Sequence, residues 1–502
     1  MEFQGKTQRL LTCLTVLDAV DEKPVDADVV LPDYCPDVAA VLGCELMPTV
    51  AEAGMSGDRL TAEGTALVRV LYLDENRDRV HTYEVSQAFS ASFLTDGRQG
   101  ETAVTVTTDT EYIHCRAVSP RRLDIHGAFR VRGTVTAAEE QTVLLEITEE
   151  SVFTKTEPMT TSVPAGHAEK PFSINEHLKN AAAVDSVIRS FAVPTVSETK
   201  VLAGKIIVKG DLHICTVTQQ DREDAKTAEE RFTLPFSQML DLAGAGEETT
   251  VQAQVRVLSH SVRIEEDKDE KSLYATTKLG LSAQAWREET AVVITDAYAT
   301  TMPVELQTVP LTGTRLVGVS TETIQASKTL DLPPEVREIR SVWCEASALA
   351  TEIAQDNAVL SGRLLVHLLA ADEQGQLQYF ERPVEFEQSL PAKGTREEDV
   401  LSVVDTNVFT DNAGQMTAQV TLNATRRQFE ETRVAAVTEI TGNEDAAYPA
   451  EEAAVKMVYA DAGESLWNVA KATHTSVEAL KEENELESEA LSKRTMLLIP
   501  LA

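Results

Sequence analysis

The sequence predicts a mainly β protein: three repeated sandwich-like β-rich domains followed by a small α+β domain of strand–helix–helix–strand order. Three observations predict it. A glycine-centred pattern recurs at intervals of about 150 residues. Within each copy, apolar and polar residues alternate with the period of two that marks a half-buried strand. Beyond an acidic, alanine-rich stretch the spacing switches to the helical one.

The repeat centres on Gly64, Gly210 and Gly362, which open the strand-like runs GTALVRVLYLD, GDLHICTVTQQ and GRLLVHLLAAD. A polar turn follows each run (DENRDR, DREDAKTAEE, DEQGQ), and then a second strand closing on Phe89, Phe236 or Phe386. Upstream, Pro48-Thr49-Val50 stands before Gly64 as Pro194-Thr195-Val196 stands before Gly210. Further alternating runs follow, such as DIHGAFRVRGTV and SLYATTKLGLSAQAW. Strands with one buried face stack in pairs, so each copy reads as a sandwich. The glycines read as turn or bulge positions and the phenylalanines as core plugs, a framework and no site. The expected divisions are 1–165, 166–322 and 323–441, then a linker at 442–456 and a last domain at 457–502.

The opening VVLPDYCPDV (residues 29–38), together with the hairpin around Gly64, resembles the spore-coat-associated SPOCS domain of spore-forming Firmicutes. That pattern extends over roughly residues 25–440, and its third copy keeps Leu332-Pro333-Pro334 and the hairpin but departs elsewhere.

The C-terminal elements follow in order. A strand over 457–460 leads into Gly463-Glu464-Ser465-Leu466-Trp467, where Ser465 can cap a helix whose apolar face is Leu466, Val469 and Ala470. Thr475, three residues before Glu478, is a capping-box signature for a second helix carrying Val477 and Leu480. Asn484 and Leu486 end it, and a strand over 496–499 closes at Pro500. GxSLWxxA with a closing LxIP resembles a LysM domain; Glu464-Ser465, Ala460 and Arg494 depart from that family's usual residues. The resemblance implies a shallow groove between the loops 461–467 and 484–489. It implies a partner-binding set of Gly463, Glu464, Ser465, Leu466, Trp467, Asn484 and Leu486. Leu466 also belongs to the module's core. Trp467 reads both as a core plug and as an amphipathic anchor, two roles one half-buried ring can combine.

Charge limits the partners. Eighty-one acidic against 45 basic side chains give a net charge of -36, which opposes phosphate backbones and anionic lipid heads. It serves solubility or suits a basic partner. No apolar run approaches the length of a membrane span, and the N-terminus has no signal-peptide pattern, so a cytosolic protein is expected. The six cysteines form no CxxC pair and no disulfide framework.

The pairing of β repeats with one LysM domain and no export signal resembles SipL-type spore-coat assembly proteins. The resemblance implies a non-enzymatic adaptor in the mother-cell cytoplasm, at the outer forespore surface. Its LysM domain would grip the coat morphogenetic ATPase, stage IV sporulation protein A, and its body could hold other coat proteins. The alternative is binding of N-acetylglucosamine polymers in peptidoglycan, which needs access to the wall.

Chemistry is not expected. The nine histidines make no HExxH and no zinc spacing, and there is no phosphate-binding glycine loop or nucleophile elbow. His114 and Cys115 diverge as strand neighbours; His213 and Cys215 share a face without further ligands. The acidic run from Glu265 to Glu270 reads as a solvated hairpin tip. No cofactor and no metal site are expected.

Overall fold

The computed structural model describes residues 3–500 apart from 78, 96–100, 180–183, 221–226, 268–269, 411–414 and 449–455. The expected turn DREDAKTAEE, the acidic hairpin tip and the expected linker therefore lie partly outside the described residues.

Strands carry nearly all of the body. The first unit comprises β1 (Gly5–Val30), β2 (Ala40–Ser56), β3 (Arg59–Leu73), β4 (Val80–Leu94), β5 (Thr102–Ser119) and β6 (Arg122–Ile147). The second comprises β7 (Val152–Leu178), β8 (Val184–Leu202), β9 (Lys205–Gln220), β10 (Thr227–Asp241), β11 (Thr249–Asp267) and β12 (Glu270–Ala299). The third comprises β13 (Val304–Thr329), β14 (Val336–Ala354), β15 (Asn357–Asp372), β16 (Leu377–Pro391), β17 (Arg396–Thr410) and β18 (Met416–Gly442).

Each unit forms two antiparallel three-stranded sheets in one order, first–sixth–fifth and second–third–fourth. In the first unit β1-β6-β5 lies over β2-β3-β4. Their inner faces share a core of Leu60, Val68, Val70, Leu123, Ile125 and Val131, each at most 1% exposed. Ile206, Leu212, Leu273 and Leu281 do the same in the second unit, and Leu364, Val366, Val420 and Leu422 in the third. Full burial of such a side chain contributes about 1.5–3 kcal/mol, which explains why aliphatic residues suffice where aromatics are sparse.

The glycines of the repeat sit in mid-strand, which corrects their expected place in turns, while Gly64 and Gly210 do lie opposite bulges. Gly64 faces Phe89, Gly210 faces Phe236 and Gly362 faces Phe386 as direct cross-strand partners. On the other side Gly64 and Gly210 face Val50 and Val196, each next to a bulge in its strand. A Cβ on Gly64 would stand 2.2 Å from the Thr49 carbonyl oxygen, and one on Gly210 2.0 Å from that of Thr195. The Pro-Thr-Val segments therefore recur at a constant distance from the glycines because their backbones touch.

The strand order passes to the next copy between Ile147 and Val152, and again between Ala299 and Val304, upstream of the 165/166 and 322/323 divisions expected from sequence. Residues 152–165 and 304–322 open the long strands β7 and β13, which begin in a core shared by all three units and run on into their own sandwiches. Leu10, Met159 and Leu311 meet there with Val143, Val293 and Ala436. Phe3, Val152, Leu144, Ile294 and Val437 form the adjoining layer. The three strand pairs β1/β6, β7/β12 and β13/β18 break register at equivalent places, passing over Leu145, Thr295 and Thr438. A bulge re-aims the side chains after it.

A second junction joins the other three sheets through Leu71, Ile188, Val217, Trp343 and Leu369. Glu45, only 2% exposed, accepts from Arg69 at 3.2 Å and from Arg189 of the second unit at 2.7 Å. The Arg189 guanidinium also lies 4.6 Å from the Trp343 ring of the third unit. The body is thus three sandwiches joined by two shared cores. The chain ends in β19 (Lys456–Ala460), α1 (Leu466–Thr473), α2 (Val477–Glu483) and β20 (Thr495–Ile499). No helix among the described residues is long and apolar enough to cross a membrane.

Candidate functional site

β19 and β20 pair antiparallel, and the two helices cover one face of that small sheet. Ser465 caps α1, its Oγ accepting from the Trp467 amide at 3.2 Å. α2 is capped by Ser476, whose Oγ accepts from Ala479 N at 3.0 Å, one residue later than the Thr475 cap expected from sequence. The Thr475 amide instead donates to Ala470 O, and its carbonyl is claimed by Tyr298.

The structure brings part of the expected set together. Gly463 adopts φ +86°, a conformation that favours glycine, and its amide donates to Leu491 O at 2.7 Å. Leu466 N donates to Glu489 O, and Leu491 N to Glu464 O, so the two loops are knitted side by side. The Glu464 carboxylate turns back to accept from Asp461 N at 2.9 Å. Leu466 is fully buried and Leu486 packs against the same core. Asn484 lies at the far end. Its amide donates to Leu480 O and Leu498 O, and its Oδ1 accepts from Leu498 N, tying the end of α2 to β20.

Trp467 stands apart from the loops. Its indole N–H donates to Asp296 Oδ2 of β12 at 2.8 Å, and its ring meets Tyr298 edge-on with centroids 5.0 Å apart. Lys471, one helical turn later, places its ammonium 2.6 Å from the same carboxylate. Burial alone would raise the pKa of Asp296, but the Lys471 and Trp467 hydrogen bonds outweigh it and hold the carboxyl below its ordinary value. Tyr298, 3% exposed, stacks on Phe153 and donates its hydroxyl to Thr475 O at 2.7 Å. The core of the C-terminal module therefore includes a residue of the second sandwich.

Sequence reasoning missed Asp296 and Tyr298. The available signal was a polar–aromatic pair at i, i+2 after an apolar run, matched by Trp467 and Lys471 at i, i+4 on one helix face. What remains open to solvent is the outer face of β19 and β20, with Met457, Tyr459 (65% exposed) and Met496, and the acidic loop after α2. Among the described residues, no group of three or more His, Cys, Asp or Glu is placed to hold a metal ion.

The fold and this docked module define a multi-sandwich β protein with a small appended α+β module. Residues 183–265, spanning β8 to most of β11, match the family model described as SipL, SPOCS domain. That segment is similar to the SPOCS domain of SipL, a family associated with sporulation and the spore coat. No curated protein and no solved structure matches it.

Proposed function

We propose that the protein is a non-enzymatic adaptor in endospore coat assembly, working in the mother-cell cytoplasm at the outer forespore surface. Its β19–α1–α2–β20 module acts as a LysM domain that holds the coat morphogenetic ATPase, stage IV sporulation protein A. The observation that carries this reading is the SipL match over the second sandwich. The module's element order and its GESLWNVA segment support the LysM assignment. Residues 457–502 carry a net charge of -4, which suits a basic partner surface.

Within the expected set, Leu466, Asn484 and Leu486 shape the module, while Gly463, Glu464 and Ser465 form the lip that faces a partner. Trp467 contributes chiefly by seating the module on the body. Two pull-downs with the full-length chain test the proposal, one against the ATPase and one against insoluble peptidoglycan. Retention on the ATPase is expected, and it should survive Asp296→Ala, which alters the seat and leaves the loops intact. Retention on peptidoglycan alone would replace this reading with wall binding.

A further inference from the structure

We propose that Cys44 and Cys115 form a redox pair that closes into a disulfide across the two sheets of the first sandwich. Cys44 on β2 stands opposite Val70, and Cys115 on β5 stands opposite Ile125. Both partners are completely buried in the sandwich core. Directly opposed residues of antiparallel strands point to the same face, so the two thiols aim inward from opposite sheets.

The strands that carry them are neighbours. β2 and β5 are the outer strands of their sheets. Thr108 and Thr110 on β5 donate their hydroxyls to the carbonyls of Pro48 and Leu46 on β2, at 2.8 and 2.9 Å. Along this seam both thiols pack against the same buried core. The Cys44 thiol beside it holds the Cys115 thiol below its ordinary value, while Cys115 and burial raise that of Cys44. Cys115 is therefore the nucleophile and Cys44 the resolving partner.

Cys13, Cys215 and Cys344 contrast with Cys115. Burial pushes each of them up to about 12, leaving an inert thiol. Neither Cys44 nor Cys115 is fully buried, so a small oxidant can reach the seam.

Hydrogen peroxide is the oxidant by chemical class. The Cys115 thiolate attacks one peroxide oxygen and the O–O bond breaks, leaving a sulfenic acid on Cys115 and a hydroxide that becomes water on protonation. The Cys44 sulfur then attacks the Cys115 sulfur. The displaced hydroxyl leaves with the Cys44 proton as a second water. Two thiols lose two electrons, one peroxide gains them, and the sheets become covalently joined along the edge that two threonine hydroxyls otherwise hold.

The test treats the full-length protein with hydrogen peroxide, blocks the remaining thiols and maps the digested chain by mass spectrometry. The expected result is a Cys44–Cys115 linked peptide, with loss of two of the six thiols and a rise in melting temperature, all reversed by dithiothreitol. Cys44→Ser should trap the sulfenic acid on Cys115, readable as a dimedone adduct. A chain that keeps six free thiols, links another pair, or oxidises Cys344 as readily as Cys115 overturns the proposal. The wild-type map alone decides, should a serine variant fail to fold.

Discussion

The indole N–H of Trp467 and the carboxylate of Asp296, 2.8 Å apart, join the C-terminal module to the second sandwich. Asp296 follows the bulge at Thr295 in β12, and Glu146 and Glu439 hold the equivalent positions in the other two units. Only Asp296 meets α1. Asp296→Ala removes the acceptor of both Trp467 and Lys471 and should cost the docked state about 1.5–3 kcal/mol. Trp467→Phe keeps the ring against Tyr298 and should cost less. Fluorescence of the indole checks the first: in Asp296→Ala the Trp467 emission should shift to the red. An unchanged spectrum would mean that Tyr298 and Phe153 seat the module alone.

The same carboxylate makes docking sensitive to acid. Its pKa is lowered in the folded protein, so its contribution is present above the ordinary aspartate range near about 4 and is lost as pH falls through the depressed value. Docking should hold unchanged from neutral pH to about 5 and fail only below about 4. Small-angle scattering across that range, comparing wild type with Asp296→Asn, would read it. Detachment of the wild type at pH 6 would contradict the assignment.

Glu45 joins the first and second units at the second junction, paired with Arg69 and Arg189, all three at most 7% exposed. Glu45→Ala leaves two buried guanidinium groups without that partner and should cost about 3–5 kcal/mol in denaturant unfolding. Glu45→Gln keeps the acceptor oxygen and should cost less. A loss below about 1 kcal/mol, the size expected of a surface pair, would show that water reaches the site.

Glu345 lies near this ion pair, and burial, then the Glu45 carboxylate, push its carboxyl up from 4.5 to about 7. A raised pKa gives stability that is complete below the unfolded value and is lost as pH rises through the folded one. Glu345→Gln should therefore gain stability over wild type as pH goes from 4.5 to about 7, and keep that gain above. Burial lowers His260 and His367 to about 4, so they act with the opposite sign over an overlapping range. The difference between the two proteins isolates the carboxyl. Parallel profiles would place it in solvent.

The repeat was legible because one local constraint recurs: a glycine between a phenylalanine ring and a threonine carbonyl. The period-two alternation likewise marked the strands. The shared cores were not legible. Leu10, Met159 and Leu311 are ordinary alternating residues, and nothing in their neighbourhood says which sandwich they pack against. The docking site was hidden for a similar reason. Asp296 turns toward α1 through a bulge set by register with β7, more than a hundred residues upstream in the chain. In the module the spacing located both helices, but Ser476 rather than Thr475 supplies the cap, its Oγ accepting from Ala479 N.

Gly210 tests the local constraint itself. A methyl there would stand 2.0 Å from Thr195 O and 2.6 Å from Phe236 Cζ, pressed from both neighbouring strands. The ring could swing aside, but the carbonyl belongs to backbone beside the bulge at Ser197 and can move only by shifting β8. Gly210→Ala should therefore cost about 1–3 kcal/mol. Adding Phe236→Ala should not recover that loss, since the carbonyl clash remains. Gly246→Ala, whose added methyl meets open space, should stay within about 0.5 kcal/mol of wild type. Denaturant midpoints of the three variants decide the matter. Full rescue by Phe236→Ala would make the ring the obstacle, and the recurrence of Pro-Thr-Val before the glycine would then need another cause.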